Sequence, residues 1–241
     1  MKVLKNAGSF TILTPVLELR EELLRIERAG RTCYQSENKN ITRKTAKKFI
    51  KMLLKYGHES VIEHSNMTVR FNNVSRGFTH ELVRHRLMAI SQESTRYVDY
   101  AKEGKGPDLE KFQLKCIVPP HKDENEKVLL EDSRKVSIAD MFLEIEKFYR
   151  GLRKAGWIPQ DARQVLPIGI KSQIVISANF REWRHIFTMR TSKYAHWEIR
   201  KVISDLLDHV KLILSPVFDD FVEAGVDNNG LKYFEKKDNF F

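Results

Sequence analysis

The feature that most constrains the fold of this chain of 241 residues is its hydrophobic periodicity. Long stretches have helical periodicity, and only a few short strand-like runs separate them. Apolar residues recur every three or four positions in the helical stretches, and they alternate or cluster as β-branched runs in the others. We predict helices over 17–29, 43–56, 75–86, 127–155, 179–190 and 195–214, a short helix over 159–167, and strands over 9–16, 67–71 and 174–176. Helices should therefore outnumber strands, and the strands are too few and too irregularly spaced for a doubly wound parallel sheet.

Residues with known preferences for helix ends mark the limits of these stretches. Thr42 is predicted to cap the second helix and Gly57 to end it. Gly30 and Gly156 are predicted to end the first helix and the long helix 127–155, and Pro216 to follow the last long helix. A last short helix and a polar tail are expected after it.

The segment 101–127 is charged, irregular and contains Pro107, Pro119 and Pro120, so we predict a loop or insertion there. It lacks the Gly and Ser bias of a flexible linker. The chain contains neither a Gly-x-Gly-x-x-Gly after a strand nor a Gly-x-x-x-x-Gly-Lys-Ser/Thr motif. A flavin or nicotinamide is therefore not expected in a Rossmann crevice. We expect one domain over 1–241, a length close to the upper end of the usual domain size.

Basic residues exceed acidic ones, with 42 Lys and Arg against 32 Asp and Glu, for a net charge of +10. Such an excess attracts anions. A nucleic-acid-binding protein and an enzyme whose ligands are all anionic both fit this balance, and composition alone does not separate them.

The two cysteines, Cys33 and Cys116, lie far apart and belong to no Cys-x-x-Cys pair, so we expect reduced thiols and a cytoplasmic protein. Neither has a base nearby in the sequence, and neither is expected to act as a nucleophile. The eight histidines are scattered without ligand spacing, and no metal site is expected. The N-terminus lacks an apolar run of the secretory type, and no stretch is long and apolar enough to span a membrane.

The richest stretch for chemistry runs from Arg84 to Tyr97 and holds three arginines, a histidine, two serines, a threonine and a glutamine. Arginine forks bind phosphates through paired hydrogen bonds, and hydroxyl and backbone N–H groups in a turn can complete an anion site. A solvated basic helix end and a nucleic-acid-binding segment are the two alternatives that this stretch leaves open.

Several motifs match one family in order and spacing. Arg84-His85-Arg86 followed after seven residues by Ser94 resembles the signature of the flavin-dependent thymidylate synthases. The family's other motifs are similar to the segments Gly57-His58-Glu59-Ser60-Val61-Ile62-Glu63-His64, Asp161-Ala162-Arg163-Gln164-Val165-Leu166-Pro167, Asn179-Phe180-Arg181 with His185 and Arg190, and Ala195-His196-Trp197-Glu198-Ile199-Arg200. The resemblance covers about residues 17–222.

This resemblance implies a reaction in which reduced FAD, methylenetetrahydrofolate and dUMP give dTMP and tetrahydrofolate, with NADPH re-reducing the flavin. It also implies an α+β domain with a small, mostly antiparallel sheet surrounded by helices, and a homotetramer whose subunits share active sites. Because all these ligands are anionic, the positive charge requires neither nucleic acid nor a membrane as a partner.

Residue roles follow from the resemblance. It implies FAD contacts for Ser60, Arg84, His85, Arg86, Gln92, Asn179, Arg181 and His185. It implies dUMP contacts for Glu81, Arg84, Gln92, Glu93, Ser94, Thr95, Arg96, Arg163 and Arg190, with Ser94 and Arg96 near the phosphate. His58 and Tyr97 are candidates for the folate or nicotinamide side of the flavin.

Arg190 is the expected catalytic residue, because a fixed cation beside the uracil ring would stabilise negative charge that makes C5 nucleophilic. Ser94 can be interpreted as a nucleophile or as a hydrogen-bond donor to the nucleotide. The second is favoured, since no base accompanies it in the sequence. Two other classes stay open at this point: a nucleic-acid-binding protein, and a flavoprotein scaffold with the same fold that makes no dTMP.

Overall fold

The structure, a computed structural model, describes residues 1–37, 39–102, 113–238 and 240–241. The α-helices are α1 Val16–Thr32, α2 Arg43–Lys55, α3 Arg76–Leu82, α4 Ile138–Lys154, α5 Pro159–Ala162, α6 Phe180–Arg190 and α7 Trp197–Leu214, and two 3-10 helices span Glu59–His64 and Arg163–Val165. The strands are β1 Lys2–Leu4, β2 Ser9–Ile12, β3 Asn66–Ser75, β4 Met88–Gln92, β5 Lys115–Ile117, β6 Val128–Leu129, β7 Lys135–Val136, β8 Lys171–Asn179, β9 Phe221–Val226 and β10 Lys232–Lys236.

The chain folds into two compact units, each made of three chain segments. The first unit comprises Met1–Ser9, Asn72–Glu81 and Gln92–Ile174. The second unit comprises Phe10–Phe71, Leu82–Ser91 and Val175–Phe241. The single domain expected over 1–241 stays a prediction. No helix in the described part of the chain has the length and apolar content needed to cross a membrane.

A four-stranded sheet has the order β2-β3-β8-β4. Met67, Val69 and Phe71 alternate along β3 and are fully buried, as the sequence pattern predicted. The predicted β8 core is also confirmed, with Ile174 and Ile176 buried. The α+β class with a small antiparallel sheet is therefore confirmed.

In the second unit, α1 packs on α2, and the predicted Thr42 cap is confirmed because its hydroxyl accepts the Thr45 N–H at 3.2 Å. Gly57 follows α2 with a φ of +71°, the conformation that favours glycine after a helix. The prediction that Gly30 ends α1 is wrong. The helix continues to Thr32, and a side chain at Gly30 would collide with the ring of Phe49. This glycine serves close packing rather than termination.

In the first unit, the predicted helix 127–155 is wrong in its first turns. Residues Val128–Leu129 and Lys135–Val136 form an antiparallel hairpin, with Ser133 at a φ of +67° in its turn. The helix begins after Ser137, whose hydroxyl accepts the Asp140 N–H at 3.1 Å while the Asp140 carboxylate accepts the Ser137 N–H at 2.7 Å. This reciprocal cap sets the start of α4.

The predicted loop 101–127 is partly corrected. Residues 103–112 lie outside the described residues, and Lys115–Ile117 form strand β5, which pairs in parallel with β1. The short helix expected near the C-terminus is wrong, because Phe221–Val226 and Lys232–Lys236 form an antiparallel hairpin. The Asp227 carboxylate organises its turn by accepting the N–H of Asn229 at 2.8 Å.

Strands are also more numerous than predicted, with ten strands against seven α-helices in the described ranges. Several strands have only two or three residues. Such a strand is too short for alternation to appear in the sequence.

Candidate active site

A cleft of about 1040 Å³ opens in the second unit between the 3-10 helix Glu59–His64, the connection from α3 to β4, and α6. Its lining includes six of the residues expected at the flavin: Arg84, His85, Arg86, Asn179, Arg181 and His185. The other lining residues are Glu59, Glu63, Leu87, Met88, Glu182, Arg184, Thr188 and Lys236.

Helix α6 carries several residues of the cleft on one face and packs into the core through its other face. Trp183 and Phe187 are fully buried, and the Trp183 indole N–H donates to the Met67 carbonyl at 3.0 Å. Asn179 caps the helix, since its side-chain oxygen accepts the Glu182 N–H at 2.8 Å. The opposite face of α6 carries the exposed side chain of His185 into the cleft.

His85 is buried and holds a neutral imidazole between two charged residues. Its Nε2 accepts a hydrogen bond from the Arg190 Nε at 3.0 Å, and its Nδ1 lies 3.4 Å from a Glu182 carboxylate oxygen. The His185 ring meets the His85 ring edge-on, with the centroids 5.3 Å apart. Burial, and then the charges of Arg190 and His185, lower the pKa of His85 to about 4. The ring is therefore uncharged at neutral pH.

Acid should destabilise the protein through His85. The unfolded chain binds a proton near the ordinary pKa of 6.5, whereas the folded protein does so only near 4, so this stability is complete above pH 6.5 and is lost as the pH falls towards 4. Between pH 7 and 5 the loss should be about 2 kcal/mol. Urea unfolding at fixed protein concentration would measure it against His85→Gln, which keeps a donor and an acceptor but does not titrate. Equal pH slopes for the two proteins would contradict this expectation.

The arginines of the cleft fall into two groups. Arg84 and Arg86 are exposed, and neither has an ion-pair partner among the described residues. Arg181 pairs with Glu63 at 2.5 Å. Two unpaired guanidinium groups beside a helix N-terminus favour an anionic ligand in this cleft.

The sequence motifs did not indicate the buried charge network at the base of the cleft. Both terminal nitrogens of Arg184 bind the Asp220 carboxylate, at 2.7 and 2.6 Å, and one also contacts Glu59 at 3.2 Å. Lys236 on β10 contacts the same Glu59 oxygen at 3.1 Å. Arg184 and Lys236 lower the pKa of Glu59, although burial opposes them as the largest single effect. Only the Glu59 end of this network lay inside a recognised motif.

The first unit contains a smaller cleft of about 410 Å³, which brings together two of the residues expected at the nucleotide, Thr95 and Arg163. An Arg163 terminal nitrogen donates to the Thr95 hydroxyl at 3.2 Å. Arg76 and His80 on α3 also line this cleft, and neither was singled out in the sequence. A single basic residue in a short helix carries no functional signal of its own.

Several nucleotide candidates have internal partners. The Glu93 carboxylate accepts the Tyr100 hydroxyl at 2.9 Å and pairs with Lys171 at 2.7 Å, and the Gln92 amide donates to Thr79 at 2.6 Å. These contacts support the loop that follows β4.

The Ser94 hydroxyl has one hydrogen-bond partner in the described part of the chain, the backbone N–H of Arg96 at 3.2 Å. A general base is thus not in contact with it, which disfavours a serine nucleophile. Arg96 is exposed and reaches Gln160 at 3.4 Å.

The structure leaves other candidates outside both clefts. Ser60 and His58 are exposed at the 3-10 helix, and Tyr97 is 79% exposed. Glu81 lies on α3 and is half-buried, beyond the residues that line either cleft. Arg190 does not line the large cleft, but it reaches that cleft's His85.

The buried thiol of Cys116 is also unsuited to catalysis. Burial, and then the charge of Glu146, raise its pKa to about 12, so the thiol stays protonated at neutral pH. Cys33 is exposed, and both cysteines are free.

Comparison with known sequences gives consistent matches. The family model described as thymidylate synthase complementing protein matches residues 16–215. A flavin-dependent thymidylate synthase of Mycobacterium bovis (strain BCG / Pasteur 1173P2) is 32% identical over 206 residues, which cover 81% of this chain and 78% of the relative. The flavin-dependent thymidylate synthase of Mycobacterium avium (strain 104) is also 32% identical, with the same coverage of both chains.

Solved structures resemble the fold. The UMP/dUMP methylase PolB from Streptomyces cacaoi, bound with 5-Br UMP, superposes with a TM-score of 0.65 at 18% identity, over 91% of this chain and 96% of that one. Thymidylate synthase X from Helicobacter pylori, with FAD and dUMP, superposes with a TM-score of 0.57 at 20% identity, over 88% of this chain and 98% of that one. At these identities the likeness shows the fold.

Proposed function

We infer that this chain, which belongs to the thymidylate synthase complementing protein family, works as a flavin-dependent thymidylate synthase. It uses FAD and methylates dUMP to dTMP. The observation that supports this function in the structure is the large cleft. Residues from three motifs far apart in the sequence meet there around two arginines that have no ion-pair partner among the described residues.

The cleft residues fit FAD, whose pyrophosphate is a dianion. Arg84 and Arg86 would bind phosphate oxygens, and Arg181 would add a third cation beside the N-terminus of α6. The Asn179 oxygen is used as the helix cap, so its side-chain N–H₂ is the group that remains for the cofactor. When it is bound in reduced form, the flavin supplies the hydride that completes the methyl group.

The nucleotide would lie against the loop that follows β4. Arg163 and Thr95 meet in the small cleft, and Arg76 adds a second guanidinium there, which suits a nucleotide phosphate. Ser94 and the exposed Arg96 extend this donor set, with Ser94 acting through its hydrogen bond rather than as a nucleophile. Glu81 and Glu93 would contact the sugar or base rather than the phosphate, because a carboxylate repels phosphate. Gln92 would add a neutral amide to the nucleotide contacts.

Arg190 would supply the fixed positive charge at the uracil ring. Electron density pushed from the ring carbonyls makes C5 nucleophilic, and a cation held beside that edge stabilises the developing negative charge. The hydrogen bond from Arg190 to His85 supports this role, since it holds the guanidinium in place before substrate arrives.

The remaining assignments extend the reaction. We propose methylenetetrahydrofolate as the carbon donor and NADPH as the reductant of the flavin, with the exposed His58 and Tyr97 facing these ligands. We propose a homotetramer that shares its sites between subunits, and Ser60 as a further flavin contact. The two free cysteines favour a cytoplasmic location, where thiols stay reduced.

The deciding experiment is a visible absorption spectrum of the purified protein, followed by a product assay. We expect an oxidised-flavin double band that bleaches with NADPH, and dTMP once dUMP and methylenetetrahydrofolate are added. Bound flavin with no dTMP would favour a non-catalytic flavoprotein. A colourless protein that takes up no FAD but binds oligonucleotides would overturn the proposal.

A further inference from the structure

Glu182 is a buried carboxylate at the third position of α6, with a side chain that is 6% exposed. An acidic residue at this position commonly bonds back to the backbone N–H of the cap residue. Here a carboxylate oxygen instead lies 3.4 Å from Nδ1 of His85, the one ion-pair contact of this carboxylate within the described residues. The Glu182 side chain therefore does not cap its own helix and has a different structural role.

The contacts of His85 determine which ring nitrogen carries the proton of the neutral imidazole. Arginine donates hydrogen bonds and never accepts them, so the Nε2 that faces Arg190 carries a lone pair. A neutral imidazole then has its proton on Nδ1, which lies 3.4 Å from a Glu182 carboxylate oxygen, and the negative charge of that carboxylate favours a proton at this nitrogen. The opposite tautomer would direct an N–H at the N–H of Arg190 and push the guanidinium away.

We propose that Glu182 is a positioning residue for Arg190, because it selects the Nδ1–H tautomer of His85 and so keeps Nε2 as the acceptor that orients the guanidinium. This inference rests on the proposed role of Arg190 in catalysis. It also means that Nε2 of His85 is occupied by Arg190 while Nδ1 faces Glu182, so a flavin would contact this ring through its carbon edge or face rather than through a nitrogen. His85 thereby links the large cleft to Arg190.

The alternative is that Glu182 only stabilises the N-terminus of α6 through its negative charge. The two hypotheses differ in which property of the Glu182 side chain a substitution must keep. Selection of the tautomer needs a hydrogen-bond acceptor, which glutamine supplies and leucine does not. A helix-terminus role needs the negative charge, which glutamine and leucine both lack. Loss of such a role would lower stability but would not change the turnover rate of the folded enzyme.

The test is a double-mutant cycle on turnover per bound FAD in the holoenzyme. We expect Glu182→Gln to keep kcat within about threefold and Glu182→Leu to lower it by about tenfold, since small displacements of an oriented group are costly. In an Arg190→Ala background, the same leucine substitution should change kcat by less than about twofold, because its effect passes through Arg190. Glu22 offers a matched control, as it is 2% exposed on α1 and pairs with Arg25. Glu22→Gln and Glu22→Leu should leave kcat per bound FAD unchanged.

Several results would overturn the inference. These are an undiminished kcat in Glu182→Leu, an equal loss in Glu182→Gln, or a tenfold loss that persists without Arg190. If Glu182→Leu does not fold, ¹⁵N NMR of histidine-labelled Arg190→Ala protein decides, with the His85 signals assigned from His85→Gln, because Glu182 then acts on the tautomer without Arg190. A proton that stays on Nδ1 supports the proposal, and a proton on Nε2 refutes it. A wild-type protein that makes no dTMP would instead overturn the proposed function, which the tautomer measurement does not depend on.

Discussion

Replacing Arg190 by alanine should lower kcat for dTMP formation by about 10²–10³, the effect of removing one preorganised charge from a developing anion. The substitution removes the cation that we propose lies next to the uracil ring, and the residues that line the large cleft are all kept, although His85 loses its hydrogen bond from Arg190. Single-turnover formation of dTMP in enzyme loaded with reduced FAD would measure the loss, and the flavin spectrum would show that the cofactor is retained. Arg190→Lys should recover only part of the rate, since an ammonium group does not reproduce the planar fork.

Arg25 provides the control for Arg190. It is half exposed on α1 and pairs with Glu22 at 2.6 Å. Arg25→Ala should therefore leave turnover unchanged. If Arg190→Ala retained a rate within about threefold of wild type, its assignment as the catalytic cation would be wrong.

Replacing Asp220 by alanine should lower the free energy of unfolding by about 3 kcal/mol, because it leaves the buried Arg184 without its bidentate partner. Both side chains are at most 5% exposed, so the solvent cannot replace the lost carboxylate. Glu59 still contacts Arg184, which keeps the cost near the low end for a broken buried pair. Urea unfolding at fixed protein concentration would measure the difference.

Two further variants separate the buried charge from ordinary loss of packing. Asp132 pairs with Arg134 at 2.6 Å on the surface, and Asp132→Ala should leave stability unchanged because both side chains are more than half exposed. The double variant Asp220→Leu with Arg184→Met should recover most of the lost stability, since apolar side chains can replace a buried ion pair. If the double variant were less stable than Asp220→Ala, the expectation of an uncompensated charge would be wrong.

Local patterns correctly predicted the elements whose signals lie within a few residues. The Thr42 cap and the helix end at Gly57 depend on neighbouring residues alone, as does the start of α6 at Asn179. The alternation in β3 likewise reflects one strand with one buried face. These features depend on hydrogen bonds and side-chain spacing inside one element. They can therefore be predicted from neighbouring residues in the sequence.

Local patterns failed where contact with a distant segment decides the structure. Gly30 looks like a helix end, yet α1 continues to Thr32, and the Phe49 ring occupies the space that a side chain at Gly30 would need. The C-terminal hairpin looked like a helix and tail, although the sequence Asn229-Gly230 is a turn signal that could have indicated it. Short paired strands gain their stability from the partner strand and leave little pattern of their own.

The candidate site divides in the same way. The motifs around Arg84, Asn179 and Arg163 could be recognised from residue types and spacing, and with them the family and the anionic character of the ligands. Which side chains pair was decided by the tertiary structure alone. Arg184 finds Asp220 across 36 residues, and Arg190 finds His85 across 105. The sequence determines which groups are present, whereas their charges, tautomers and orientations depend on burial and on partners that only folding brings within hydrogen-bond distance.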